Sequence, residues 1–209
     1  MRFLVLLVFL TGFSLGQAQS RPYIPALFNV QNVASDDVLN VRKNPDVMSE
    51  VVGTLDYDTQ SVEVVTLSED GKWGMVNSND YSTGWVQLQF MSQTAPDPVA
   101  TDFERDLWCF GDEPYWTLIS IAKGDVFLLD GGNKLQLKRS FAPLLAEDRK
   151  FGRQVMVAGM EGIEITGFLT PKQCRPNEGV FGFGFDMLVV KGQERRSVSG
   201  CCSLSERGR

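Results

Sequence analysis

Four cysteines, Cys109, Cys174, Cys201 and Cys202, and the carboxylates of Asp112, Glu113 and Asp186 are the first candidates for chemistry in this chain. An absence limits what they can do: the 209 residues include no histidine. Ser-His-Asp triads, Cys-His dyads and His-ligated zinc hydrolases all need an imidazole as proton carrier or ligand, so those classes fall together. Glycoside cleavage by paired carboxylates needs only two acids flanking a bond. Its candidates are Asp112, Glu113 and Asp186. Adjacent acids in a turn more commonly cap or solvate the backbone, and the expectation is a protein that is not an enzyme. Glu113-Pro114 either lines a binding site or stiffens a strand entry, with the acid accepting backbone hydrogen bonds. Gly182-Phe183-Gly184 lacks the third glycine and the following helix of a nucleotide-binding loop and reads as strand. No cofactor is expected. No metal is expected either, since no cysteine pair has the short spacing of a zinc knuckle.

The cysteines point instead to cross-links. An even number in an exported chain reads as two disulfides, with three possible pairings. A bridge between the adjacent Cys201 and Cys202 would be strained. Neighbouring side chains on a strand point to opposite faces. Each of the two is therefore expected to reach a different partner, Cys109 or Cys174, in an order the spacing leaves open.

Export is written in the first residues. Met1-Arg2 precedes the apolar run Phe3 to Leu10, and small residues follow at Gly16, Ala18 and Ser20. These are the marks of a secretory signal over 1–18, cut after Ala18 or after Ser20. The run is too short to cross a bilayer, which takes roughly 20 apolar residues, so no membrane anchor is expected after cleavage. The formal net charge is −6, and losing Arg2 takes it to −7. That acidity argues against nucleic acid as a partner. The expected address is the periplasm or the cell exterior.

The elements that must carry these residues are strands. After a spacer over 19–27, Val38 to Arg42 alternates apolar and polar side chains at period two. Further strands are read at Val51 to Leu55, Ser61 to Leu67, Lys72 to Val76 and Gly84 to Val86, with turn chemistry between them. Gln93 to Asp102 is polar and proline-bearing, an inter-domain linker. The second domain is expected over 103–204, with a tail at 205–209. There, Tyr115 to Ile121, Val126 to Leu129, Lys134 to Leu137, Gln154 to Ala158 and Gly162 to Leu169 read as strands. Phe181, Phe183, Phe185, Met187 and Val189 share one face of a long strand that turns at Gly192-Gln193. Seven or eight such strands suit a barrel or sandwich. The phenylalanine stripe is its core in the simplest reading and the wall of a lipid pocket in the other.

Leu39-Asn40-Val41-Arg42, Val52-Gly53-Thr54-Leu55, Val62-Glu63-Val64 and Gly84-Trp85-Val86 occur in the order of the L-N-V-R, V-G-T-L and G-W-V motifs of bacterial SH3-like domains, which residues 28–92 resemble. Asp58 replaces the usual turn glycine. The resemblance implies a small barrel binding peptidoglycan or a peptide through loops and surface aromatics, with Tyr57, Tyr81 and Trp85 as candidate contacts. Trp73 and Trp85 could equally seal the core. Further on, Gly111-Asp112-Glu113-Pro114-Tyr115-Trp116, a mid-domain Cys174 and the terminal Gly200-Cys201-Cys202 resemble an uncharacterised family of bacterial envelope proteins. The combined expectation is all-β: an SH3-like barrel, then an antiparallel β barrel or sandwich with two disulfides. Its expected function is non-catalytic binding of peptidoglycan or an envelope protein. Inhibition of a cell-wall hydrolase such as lysozyme and carboxylate-based glycan hydrolysis are the alternatives.

Overall fold

The computed structural model describes residues 24–80, 82–94, 106–121, 125–140 and 154–205. The expected signal peptide, most of the linker, most of the tail and Tyr81 lie outside the described residues. Both units are built from antiparallel strands, as the period-two patterns require.

In the first unit, β1 (Ala26–Val30) lies between β4 (Val62–Val64) and β8 (Met91–Gln93) in a three-stranded sheet. The other sheet runs in the order β3 (Val51–Asp56), β2 (Val38–Arg42), β7 (Thr83–Gln87), β6 (Trp73–Asn77), β5 (Thr66–Leu67). Val41, Leu55, Val64, Val76 and Val86 are almost fully buried between the sheets. The stretch read as one strand from Ser61 to Leu67 is two: the chain breaks at Val65 and changes sheet, which is how a small barrel turns a corner. β1 begins within the stretch read as spacer. Its pairing partners are remote in sequence, Val62 to Val64 and Met91 to Gln93, so no local hairpin signal announces it.

The second unit is a closed eight-stranded barrel. Its strands are β9 (Leu107–Asp112), β10 (Tyr115–Ser120), β11 (Val126–Asp130), β12 (Asn133–Ser140), β13 (Gln154–Met160), β14 (Ile163–Cys174), β15 (Phe181–Lys191) and β16 (Glu194–Ser203). Each pairs with the next, and β16 returns to β9 through Cys201 opposite Phe110, Cys202 opposite Cys109 and Ser203 opposite Trp108. An eight-stranded barrel is just wide enough for side chains to fill. Trp116, Leu118, Leu128, Ile165, Phe183, Phe185 and Met187 fill it here, each almost wholly buried, so the phenylalanine stripe is core. Outward positions such as Gln136, Lys138, Glu164, Asp186 and Arg195 are polar and exposed.

The disulfides follow from the pleat. Cys202 points inward and bonds Cys109, its direct opposite at the β16–β9 seam. Cys201 points the other way and bonds Cys174 on β14, across the intervening β15. The pairing that the adjacent cysteines left open is thus settled by which face each occupies.

The two units touch. The Asn77 Nδ2 donates to the Val180 carbonyl while its Oδ1 accepts from the Val180 N–H, both at 2.9 Å. Glu63 on β4 is buried and receives hydrogen bonds from the Ser203 hydroxyl (3.0 Å) and the Leu204 N–H (3.1 Å). The Ser205 hydroxyl donates to the Ser61 carbonyl at 2.7 Å. A side chain at Gly182 would strike Pro25 and Glu63, so β15 and β4 approach at a point where only glycine fits.

Candidate functional site

Alternation decides which side chains the first unit displays. Leu39 and Val41 on β2 and Gly84 and Val86 on β7 face the core, which turns Val38, Asn40 and Arg42, and Thr83, Trp85 and Gln87, outward. Trp73 pairs with Gln87 and Met75 with Trp85, so the outer face continues across β6. This face divides into a covered half and an open half.

The covered half lies under the barrel. Met75, Val65 and Val180 form a small buried cluster with Trp85 packed against it. Gln173 Nε2 and Arg175 Nη2 approach the Met75 sulfur at 3.0 and 3.3 Å. Trp85, a candidate ligand contact from the sequence, is therefore half-buried where the units meet. Tyr57 is exposed in the turn after β3, beside the Val38 end of β2, whereas Trp85 pairs with Arg42 at the other end. The structure does not bring Tyr57 and Trp85 together.

The open half is a groove of about 420 Å³. Asn40, Gln87 and Arg42 supply amide and guanidinium groups, Asp37 and Asn32 stand at the β1–β2 connection, and Trp73 and Phe90 contribute ring surface. The Arg42 Nη1 donates to the Ser49 carbonyl at 2.8 Å, which holds the guanidinium in place. Trp73 is only 6% exposed, so it floors the groove rather than offering a free ring face. The amides can donate and accept, and Arg42 can pair with a carboxylate. Such a lining suits a ligand carrying both amide and acid groups. The candidates read from the sequence, Tyr57, Tyr81, Trp85 and Glu113, do not include Asn40, Arg42 or Gln87; the outward positions of β2 and β7 are the signal that could find them.

On the barrel, the Asp112 to Trp116 motif is the β9–β10 hairpin. Glu113 sits exposed in the turn and Trp116 is buried inside. Asp112 accepts from Asn177 Nδ2 at 3.3 Å. Asp186, on β15, accepts from the Ser199 hydroxyl at 2.7 Å. Strand β16 separates β15 from β9, so the acids considered for glycoside cleavage are not gathered into one turn. Asp112 and Tyr115 instead border a second groove, of about 620 Å³, on the outside of β9 and β10.

No group of three or more cysteine, aspartate or glutamate side chains placed to hold a metal occurs among the described residues. No helix among them is long and apolar enough to cross a membrane. No curated protein and no solved structure matches the chain. Residues 37–92, which include β2 to β7 and the groove-lining Asn40, Arg42, Trp73 and Gln87, match the family model described as bacterial SH3 domain.

Proposed function

We propose that this chain is an exported, non-catalytic binding protein of the bacterial cell envelope, whose SH3 domain takes peptidoglycan or a peptide of a partner protein. The observation that carries the reading is the open groove on the outer face of that domain, where Asn40, Gln87 and Arg42 meet Trp73 and Phe90. Peptidoglycan stem peptides combine amide groups with free carboxylates, and the groove offers partners for both. Two disulfides without a free cysteine among the described residues suit folding in an oxidising compartment. The N-terminal signal pattern and the envelope-family resemblance of Trp108 to Ser203 support the same address.

The test is co-sedimentation of the mature, oxidised chain with purified peptidoglycan sacculi. The chain is expected in the pellet, and Asn40→Ala with Gln87→Ala should return most of it to the supernatant. Sedimentation no greater than that of the reduced, denatured chain counts against peptidoglycan. Undiminished sedimentation of the double variant counts against this groove.

A further inference from the structure

The second groove is argued from what its walls can and cannot offer. Its floor is the outer face of β9, β10 and β11, where Trp108, Phe110, Thr117, Ile119 and Leu129 point away from the barrel interior. Apolar side chains also face outward at Phe168 and Leu188, but here Trp108, Phe110, Ile119 and Leu129 lie together beside a wall, which makes a groove rather than a flat patch. One wall is the segment from Pro176 to Phe181, and Phe181 packs edge-on against Phe110 with ring centroids 4.9 Å apart. Tyr115 stands 68% exposed at the open end.

The charged part of the lining is one-sided. Asp112 and Glu178 bring carboxylates, and no lysine or arginine lies among the described residues of the lining. Asn177 already directs its Nδ2 at Asp112. The groove therefore presents negative charge and aromatic rings, with no cation among the described lining residues to offset the carboxylates. Lysine and arginine side chains carry only donors and a positive charge, and both are attracted to ring faces. From this complementarity we propose that the groove docks a segment of a partner protein that inserts a lysine or arginine, flanked by apolar residues, between the rings and the Asp112 and Glu178 carboxylates.

The SH3 domain holds the wall of this groove in place. Arg175 reaches Met75 just before the wall, and Val180 is bonded twice to Asn77 near its end. Gly179 between them has a φ of 78°, and a side chain there would crowd Asn77. The docking site is thus a property of the two units together. It is separate from the groove on the SH3 domain, so the two proposals can fail independently.

The experiment uses the mature, oxidised chain and isothermal titration with the probe peptide acetyl-Gly-Leu-Arg-Leu-Gly-amide. Controls are the same peptide with neutral citrulline for arginine, and the N-acetylglucosamine trimer as a glycan probe. The arginine peptide should bind and shift the Trp108 indole N–H resonance, and its affinity should fall with added salt. The citrulline peptide should bind at least tenfold more weakly. Asp112→Asn with Glu178→Gln, both exposed and free of core packing, should cost a similar factor while circular dichroism stays unchanged. Tyr115→Ala gives a second variant that leaves the charge intact, and it should weaken binding several-fold. Equal binding of the citrulline peptide, no response to the paired amide variant, no binding of the arginine peptide, or preference for the glycan would each overturn the proposal.

Discussion

Removing the Glu63 carboxylate should weaken the junction of the two units, and the size of the effect can be worked from its partners. Glu63 is 7% exposed and accepts from the Ser203 hydroxyl and the Leu204 N–H. The Ser203 oxygen also accepts from the Ser205 N–H at 2.9 Å, so its hydroxyl proton is committed to Glu63. Ser203 and Leu204 are themselves 1% and 3% exposed, leaving little water to take over. A buried donor stripped of its acceptor costs about 1–3 kcal/mol. Glu63→Ala orphans two donors and should destabilise the chain by about 2–6 kcal/mol, the lower figure applying where water enters the vacated space. Glu63→Gln keeps one acceptor oxygen and sets an amide donor against the other partner, so its cost should be about 1–3 kcal/mol. Urea unfolding of the oxidised chain, followed by tryptophan fluorescence, gives the energies. Hydrogen exchange at the Leu204 amide gives the location, because that proton should lose protection in Glu63→Ala. A Glu63→Ala loss under about 0.5 kcal/mol with Leu204 still protected would refute the reasoning, since solvation or repacking would then match the carboxylate.

Three further outcomes follow from other contacts. Cys109→Ala with Cys202→Ala opens a link spanning 93 residues at the barrel seam. The loop-closure relation puts its loss at about 4–5 kcal/mol, less where the nested Cys174–Cys201 link still restrains the unfolded chain; a midpoint in urea unchanged from wild type would contradict this. Asn77→Ala should release the wall from Pro176 to Phe181, read as faster exchange at the Val180 amide and at least threefold weaker binding of the arginine probe; unaltered exchange would show that the wall holds itself. Hydrogen bonds from Lys138 first, and from Gln136, hold Asp125 below its ordinary 3.8. A depressed carboxylate contributes stability that is full above its unfolded pKa and lost as pH falls through the folded value. Lys138→Gln should therefore move the Asp125 titration upward in carbon-detected NMR, and an unmoved titration would remove the pair from the account.

Much of the fold was legible because period-two patterning is a local property. Leu39 and Val41, and Phe183, Phe185 and Met187, announce which side of a strand meets the core, and the structure buries them. The match over residues 37–92 agrees with motifs readable in the chain itself. What escaped were elements whose evidence is remote. β1 pairs with segments more than 30 residues away, and the stretch from Ser61 to Leu67 divides in two because β4 joins the sheet of β1. The candidate contacts suffered for the same reason. Trp85 and Trp73 lie on the same face of the same sheet, yet the barrel covers Trp85 and leaves a groove over Trp73. Nothing near Trp85 in sequence encodes a cover supplied by Gln173, Arg175 and Val180.

By itself, the sequence determined the classes of chemistry open to this protein, its all-β character and the number of its cross-links. Those depend on residue types and on alternation along one strand. Tertiary structure alone decided the disulfide pairing, since Cys201 and Cys202 differ only in the face each presents to neighbouring strands. It alone decided that Glu63 is a clasp between units, and that Asp112 and Tyr115 border a groove with Glu178, because those contacts join segments 60 to 140 residues apart. A chain records the chemistry of each side chain locally. Which remote side chain shares its surroundings is set by the packing of whole sheets.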